Sequence, residues 1–220
     1  MTPDYQGAFA LPPGATELML VRHGSSARYQ PDAPFALLGG QSDPPLAPQG
    51  NDQARLVARH LGGQPIAAVF VTPLRRTAQT AGPLAARLGV EPIVVPELCE
   101  VHLGEWESGG GFGVDSPNRD GLRQRVLEEE EWGLIPGAET VHNLGQRVAL
   151  GLESVARMIG PDATGAAIVH GGVITEACHQ ITASRPFAFF GPENASITRV
   201  VRDGAGRWTL QSFNETAHLR

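Results

Sequence analysis

Two histidines and two arginines stand at the ends of apolar runs, a placement that suits phosphoryl chemistry. Arg22 and His23 follow directly on one such run, and His170 follows directly on another much later in the chain. Arg76 comes a few residues after a third run. A guanidinium group matches the geometry of phosphate oxygens, and a neutral imidazole is a good nucleophile toward phosphorus. These four residues therefore predict a site for a phosphoryl group, provided that the fold brings the ends of the runs together.

Such a site also needs a proton donor, because the leaving alkoxide must take up a proton. Glu100 is the best placed candidate, and the partly apolar residues 101–103 after it can desolvate its carboxyl group and raise the pKa. Main-chain N–H groups near Gly171, at the start of a predicted helix, can add hydrogen bonds to the phosphate. In this scheme His23 attacks phosphorus while His170 and the arginines match the charge that develops on the phosphoryl oxygens.

The elements that must position these residues alternate between strands and helices. Short apolar runs typical of strands covered on both faces lie at 17–21, 67–71, 91–95 and 165–169. Apolar residues at the helical period predict helices at 48–62, 74–88, 138–160 and 172–183. A glycine-rich turn between 196–201 and 207–213 predicts a β-hairpin. The pattern predicts an α/β fold, a three-layer αβα sandwich whose mostly parallel central sheet has an antiparallel edge.

The same pattern divides the chain of 220 residues into one large domain and two accessory segments. We expect a loose proline-rich arm at 1–16 and a single domain at 17–220. Residues 101–135 interrupt the alternation, which predicts a small, partly helical insertion that could act as a lid, with the acidic run 128–131 on a solvated helix face. Since ligands of open α/β sheets bind beyond the carboxyl ends of the strands, the candidate residues should converge at one edge of the sheet.

Composition excludes several classes of partner. The net charge of −6 and the sequence pI of about 5.6 argue against a nucleic-acid partner. No segment is long and apolar enough to be a membrane span. Cys99 and Cys178 are not spaced as a disulfide or zinc motif. We therefore expect a soluble cytoplasmic protein with reduced thiols. Cys99 with His102 makes only half a metal site, and we expect neither a metal nor another cofactor. The oligomeric state is not predicted.

Motifs along nearly the whole chain resemble those of the histidine phosphatase superfamily, the phosphoglycerate-mutase-like group. They lie at 20–24, 43–54, 72–81, 97–107, 136–140 and 169–174. The resemblance implies the same α/β fold. It implies that His23 is the phosphorylated nucleophile and that Glu100 is the proton donor. It also assigns Arg22, Arg76 and His170 to the phosphate pocket.

The chain departs from the mutase-like pattern just after the first histidine. Members of that group usually carry Glu and Ser there and an Asn further on, where this chain has Ser25, Ser26 and Tyr29. Ser25 and Gly171 remain candidates for phosphate binding, and no role is assigned to Tyr29. The departures and the short insertion favour a metal-independent phosphomonoesterase that acts on a small phosphorylated metabolite through a phosphohistidine. The alternatives are a phosphoglycerate mutase and a non-catalytic module that binds phosphate or a phosphorylated ligand.

Overall fold

A six-stranded sheet lies at the centre of the computed structural model, which describes residues 9–109, 111–112 and 117–220. In chain order the strands are β1 (Thr16–Arg22), β2 (Leu37–Leu38), β3 (Gln41–Ser42), β4 (Ile66–Val71), β5 (Ile93–Val94), β6 (Ala163–Val169), β7 (Ile197–Arg202) and β8 (Trp208–Glu215). The central sheet has the order β5-β4-β6-β1-β7-β8, and β2 and β3 form a separate hairpin. That small hairpin was not predicted from the sequence.

Strand pairing brings the two histidines side by side. β4 pairs in parallel with β5 and β6, and β1 pairs in parallel with β6, while β7 and β8 add an antiparallel edge. In the pairing of β1 with β6, Arg22 lies opposite Val169. The residues that follow these partners are His23 and His170, so both leave the sheet at neighbouring points of the same edge. The predicted mostly parallel sheet with an antiparallel edge is confirmed.

Helices cover both faces of the sheet. They are α1 (Pro48–Leu61), α2 (Arg75–Leu88), α3 (Pro117–Glu129), α4 (Val141–Ile159) and α5 (Gly171–Thr182). Alternate residues of β1 point to opposite faces, as a strand requires. Leu18 and Leu20 therefore pack in the apolar cluster that includes α4 and α5, whereas Met19 and Val21 pack in the cluster that includes α1 and α2. The three-layer sandwich is confirmed.

Several element boundaries differ from the prediction for identifiable reasons. The strand predicted at 91–95 is only two residues long, Ile93–Val94. Pro96 follows shortly afterwards, opens a 3₁₀ turn and has no N–H group with which to extend the ladder. The helix predicted at 138–160 begins at Val141, because the Thr140 side chain accepts a hydrogen bond from the Asn143 N–H group at 3.2 Å and caps the first turn.

The segment predicted as a loose arm is partly built into the fold. β1 already includes Thr16, and Ala15 before it is buried. The Gly14 N–H group donates a hydrogen bond to the Asp162 carboxylate at 2.6 Å. Residues 1–8 lie outside the described residues, so the arm stays a prediction for that part of the chain.

The insertion at 101–135 packs its apolar side chains into the same core as α4 and α5. Besides α3 it holds 3₁₀ turns at Gly104–Gly109 and Trp132–Leu134, while residues 110 and 113–116 lie outside the described residues. Among its described residues, the apolar side chains buried in that core are Val101, Leu103, Trp106, Val126, Trp132 and Ile135. The prediction of a solvated helix face at 128–131 holds for Glu128 and Glu129, which are exposed at the end of α3. It is wrong for Glu130 and Glu131, which lie beyond the helix. The Glu130 side chain is 11% exposed and pairs with Arg185, and the Glu131 carboxylate accepts hydrogen bonds from the Gly133 and Val141 N–H groups.

Candidate active site

The predicted site residues meet at the carboxyl edge of the parallel strands. His23 follows β1, His170 follows β6, and Thr72 follows β4. The imidazole rings of His23 and His170 have centroids 5.2 Å apart and planes inclined by 63°. Both rings are buried, with 7% and 0% of the two residues exposed. The convergence expected from the topology is therefore present in the fold.

The contacts of His23 leave a lone pair on Nε2. Its Nδ1 lies 2.8 Å from the Gly24 carbonyl oxygen, which can only accept, so Nδ1 carries the proton. On the other side of the ring, the Arg76 Nε–H group donates to Nε2 at 3.3 Å. Burial, assisted by the positive charges of Arg76 and Arg22, holds the pKa of His23 well below its ordinary value of 6.5. The imidazole is neutral at physiological pH and has the protonation state of a nucleophile.

His170 is held by a hydroxyl group and keeps one polar atom free. Its Nε2 lies 2.9 Å from the Thr72 Oγ1 atom. Its Nδ1 is buried and has no hydrogen-bond partner among the described residues. Burial is the main reason that the pKa of His170 also lies well below its ordinary value. When the Thr72 hydroxyl donates to Nε2, Nδ1 carries the proton and can donate to an oxyanion beside the His23 ring.

The two arginines are fixed by main-chain carbonyl groups and retain unused donors. Arg22 donates from Nη1 to the Pro192 carbonyl, and its buried Nε has no partner in the described part of the chain. Arg76 is 7% exposed and donates from Nη1 to the Ser42 carbonyl at 3.0 Å. Guanidinium groups held in this way can direct their remaining donors at a phosphoryl group, while the Arg76 Nε–H group must release His23 Nε2 before that lone pair can attack phosphorus.

Glu100 approaches the same edge from the loop after β5. Its Oε1 accepts hydrogen bonds from the Val101 N–H group at 2.9 Å and from the Gly172 N–H group at 3.1 Å. A Cβ atom at position 172 would lie 2.6 Å from Oε1, so the approach requires glycine at that position. Burial raises the pKa of Glu100, and this effect outweighs the lowering by the Val101 hydrogen bond and the arginines. The pKa shift has the direction predicted from the sequence.

A small cavity of 120 Å³ opens beside these groups. Its walls include Arg76 and Glu100 together with Glu107, whose carboxylate accepts hydrogen bonds from the Ser42 and Leu103 N–H groups at 2.7 and 2.9 Å. Pockets for drug-sized ligands usually measure about 300–1,000 Å³, so this cavity suits a small molecule. A larger cavity of 520 Å³ between α1 and α2 is lined by none of the predicted site residues.

The other two predicted phosphate ligands lie near the site, and their roles stay predictions. The Ser25 N–H group donates to the Gln53 side chain at 2.8 Å, and the Ser25 carbonyl accepts from the Ala47 N–H group at 2.9 Å. Gly171 is the first residue of α5, and a Cβ atom there would lie 3.4 Å from the Arg22 Nε atom. Tyr29 is half-buried, and its role is still unassigned.

Sequence reasoning missed several residues that hold the predicted ones. Thr72 directly follows β4, the same signal that identified His170 after β6, and could have been found by it. Asn194 donates from Nδ2 to the His23 carbonyl at 3.0 Å, although nothing in its sequence neighbourhood indicates this contact. Gln41 and Arg147 contact the main chain around Glu100 from distant parts of the chain, and local patterns give no sign of either.

Two further properties concern cofactors and membranes. Within residues 9–109, 111–112 and 117–220, no group of three or more His, Cys, Asp and Glu side chains is arranged to hold a metal ion. The helices of that part of the chain lack the combination of length and apolar character that crossing a bilayer requires.

Comparison with known proteins places the geometry in a family. The sequence pattern of the histidine phosphatase superfamily (branch 1) matches residues 18–216. A probable phosphoglycerate mutase from Serratia proteamaculans is 34% identical over 216 residues, which cover 92% of this chain and 94% of that protein. The structure of a mycobacterial glucosyl-3-phosphoglycerate phosphatase has a TM-score of 0.72 and 27% identity, over 92% of this chain and 100% of that one.

A third comparison extends the likeness of fold. A phosphoserine phosphatase from Entamoeba histolytica, crystallised with 3-phosphoglyceric acid, has a TM-score of 0.71 and 24% identity. The match covers 93% of this chain and 100% of that one. At this level of identity the similarity concerns the fold alone.

Proposed function

Because this chain belongs to the histidine phosphatase superfamily, branch 1, we propose that it is a metal-independent phosphomonoesterase acting through a phosphohistidine on a small phosphorylated metabolite. The observation that carries the proposal is the His23 ring. Its Nδ1–H group donates to the Gly24 carbonyl, which leaves the lone pair on Nε2, where Arg76 donates a hydrogen bond. A cytoplasmic location remains a prediction.

In the first step the His23 Nε2 lone pair attacks phosphorus, and the bond from phosphorus to the ester oxygen breaks. Arg22, Arg76 and His170 donate hydrogen bonds to the equatorial oxygens, where negative charge is spread in the transition state. In the proposal Glu100 enters this step as a carboxylic acid and transfers its proton to the departing oxygen, and burial, which raises its pKa, favours that form. The products are the free alcohol, a phosphohistidine and the Glu100 carboxylate.

In the second step the Glu100 carboxylate acts as the base. It takes a proton from a water molecule that attacks the phosphohistidine, and the bond between phosphorus and Nε2 breaks. Inorganic phosphate leaves, His23 regains its neutral form, and Glu100 is again protonated. One carboxyl group thus serves both half-reactions, which requires that its pKa lie close to the working pH.

The charges around the cavity favour a phosphatase over a phosphoglycerate mutase. Of the described residues that line it, Arg76 carries the one positive charge, while Glu100 and Glu107 carry carboxyl groups. With Arg76 committed to the phosphate, the carboxylate of a phosphoglycerate finds no second cation on these walls. The mutase stays the second candidate, because curated relatives such as the Serratia protein are named probable phosphoglycerate mutases.

A comparison of matched substrates tests the proposal. Phosphate release is measured with glycerol 3-phosphate and with 3-phosphoglycerate, which carries a carboxylate in place of one hydroxymethyl group, each with and without a bisphosphoglycerate primer. We expect phosphate release that needs no primer, persists in EDTA and is blocked by vanadate. Isomerisation of 3-phosphoglycerate that depends on the primer would favour the mutase, and loss of activity in EDTA that magnesium restores would contradict the metal-free mechanism.

A further inference from the structure

All five N–H donors of one arginine on α4 are used in hydrogen bonds close to Glu100. Arg147 donates to the carbonyl oxygens of Glu97, Cys99 and Glu100 and twice to the Glu139 carboxylate, at distances of 2.5–3.0 Å. A guanidinium group has five such donors in a fixed planar fork, so the group is saturated. An arginine that spends every donor on holding a loop and its own carboxylate partner is typical of a residue that positions the loop.

Glu139 extends this arrangement to the other side of Glu100. Its Oε1 atom, besides pairing with Arg147, accepts a hydrogen bond from the His102 N–H group at 2.9 Å. The ion pair is mostly buried, with 24% of the Arg147 side chain and 14% of the Glu139 side chain exposed. The pair therefore holds the main chain just before and just after Glu100, where residues 99–102 form neither helix nor strand.

The contacts fix the Glu100 backbone while leaving its carboxyl group directed at the site. The Glu100 carbonyl accepts from Arg147 at 2.9 Å and from the Gln41 side chain at 2.7 Å. At the other end of the residue, the carboxyl group meets the Gly172 N–H group at 3.1 Å. Glu100 is thus held at both ends, and Arg147 also donates to the carbonyl groups of Glu97 and Cys99.

We propose that Arg147, braced by Glu139, is a positioning residue that sets the distance between the Glu100 carboxyl group and the leaving oxygen. The inference rests on the proposed function, in which Glu100 is the proton donor. Arg147 touches no reacting atom: it holds the main chain at Glu97, Cys99 and Glu100, and its charge lowers the pKa of the Glu100 carboxyl group, an effect smaller than the rise caused by burial. Misplacement of a catalytic group by about 1 Å can lower the rate by a factor of up to about 10². The effect of losing the Arg147 hydrogen bonds is therefore measurable.

A lysine cannot replace this arginine. A lysine ammonium has three donors and no planar fork, so it can satisfy at most part of the five contacts. Arg147→Lys should therefore lose activity despite keeping the charge, although less than Arg147→Met. Arg157→Met is the matched control, because Arg157 lies on the same helix and is exposed.

A double-mutant cycle with Glu100→Gln provides the test. The quantity compared is kcat/KM for glycerol 3-phosphate, which includes transfer to His23 and departure of the alcohol. We expect Arg147→Met to lower kcat/KM about tenfold in the native background and less than about twofold in the Glu100→Gln background, since the two residues act as one unit. Arg157→Met should leave both values unchanged. With p-nitrophenyl phosphate, whose leaving group hardly needs a proton, the Arg147 effect should shrink.

The outcomes separate this inference from the proposed function. Equal losses in both backgrounds, or equal losses on both substrates, would show a general structural role and overturn the inference alone. Unchanged activity of Glu100→Gln would overturn the proton-donor role and the inference with it. If the Arg147→Met protein does not fold, the same cycle is run with Glu139→Gln, which removes one of the two carboxylate oxygens that accept from Arg147. This variant should also lower kcat/KM mainly in the native background, by a smaller factor than Arg147→Met.

Discussion

The two sides of the site are built by different means. On the phosphate side, His23 and His170 emerge from neighbouring strands whose pairing fixes their separation. On the proton-donor side, Glu100 lies on irregular backbone that is held by the Arg147 and Gln41 side chains. The first side depends on the sheet, and the second depends on a few long-range hydrogen bonds.

Under the proposed mechanism, this difference gives each side its own kinetic signature. A defect on the phosphate side weakens transfer to every substrate, because every phosphoryl group needs the same nucleophile and the same donors. A defect on the proton-donor side matters in proportion to how poor the leaving group is. The ratio of kcat/KM for an alkyl phosphate to that for an aryl phosphate therefore reports which side has been disturbed.

The largest effect is expected from removing the nucleophile. His23→Ala should lower kcat/KM for glycerol 3-phosphate and p-nitrophenyl phosphate alike, by on the order of 10⁴-fold or more. The fold should persist, since among the described residues the His23 ring forms hydrogen bonds with Gly24 and Arg76 alone. Phosphate release reports the activity, and a thermal melt reports the fold. Residual activity near that of the native protein in a folded variant would exclude His23 as the nucleophile.

The next effect separates the two sides. Glu100→Gln keeps the shape of the side chain but cannot carry a proton, so kcat/KM for the alkyl phosphate should fall by ~10²–10⁴-fold, the range usual for a general acid. The fall should be much smaller for p-nitrophenyl phosphate. An equal fall on both substrates would argue against proton donation by Glu100. A larger loss in Glu105→Gln would move the role to that residue.

A smaller and leaving-group-independent effect is expected at Thr72. Thr72→Val removes the hydroxyl group that lies 2.9 Å from His170 Nε2, and the tautomer that donates from Nδ1 is then no longer favoured. We expect kcat/KM to fall about tenfold on both substrates, a loss of about 1.4 kcal/mol in transition-state stabilisation. The two losses are measured side by side, and a loss confined to the alkyl phosphate would contradict the placement of Thr72 on the phosphate side.

The smallest effect concerns stability, and the two sides should respond to acid in opposite directions. Burial lowers the pKa of His170 in the folded protein. As the pH falls below about 6.5, this histidine is therefore protonated in the unfolded chain before it is protonated in the folded protein, and the folded protein loses stability. Burial raises the pKa of Glu100 in the folded protein. As the pH falls, this carboxyl group is therefore protonated in the folded protein before it is protonated in the unfolded chain, and the folded protein gains stability from it.

Melting temperatures between pH 6.5 and pH 5 check these signs. His170→Asn should make the melting temperature less dependent on pH than in the native protein, and Glu100→Gln should make it fall more steeply toward acid. Each contribution is limited to about 1.4 kcal/mol per pH unit. Shifts of the same sign in both variants would show that one of the two pKa directions is wrong.

The sequence was sufficient for the central sheet and for the meeting of His23 and His170, because both follow from local patterns. Apolar runs identify β1, β4 and β6, and the rule for strand ends then brings His23 and His170 together. The proton-donor side was harder, since Arg147 and Gln41 are separated from Glu100 by 47 and 59 residues. Such contacts depend on tertiary structure, which no local period encodes.

In α2, burial departs from the helical period of apolar residues because polar side chains of this helix bind the main chain near the site. The helical period assigns Ala78 to the buried face of α2, yet Ala78 is exposed while Thr77 and Thr80 are buried. Thr80 accepts a hydrogen bond from the Gly24 N–H group at 3.0 Å, and Thr77 accepts one from the Thr72 N–H group at 3.1 Å. The first turns of α2 thus satisfy the main chain just after β1 and just after β4, which an apolar face could not do.

Trapping the phosphorylated protein tests the central claim most directly. The native protein is mixed with a phosphorylated substrate, quenched in alkaline denaturant within one turnover, digested and analysed by mass spectrometry. The account predicts one phosphate on the peptide that contains His23, lost on mild acid treatment and absent from the His23→Ala protein. Phosphate release without any such phosphopeptide, or a phosphate that appears on another residue and persists in His23→Ala, would contradict it.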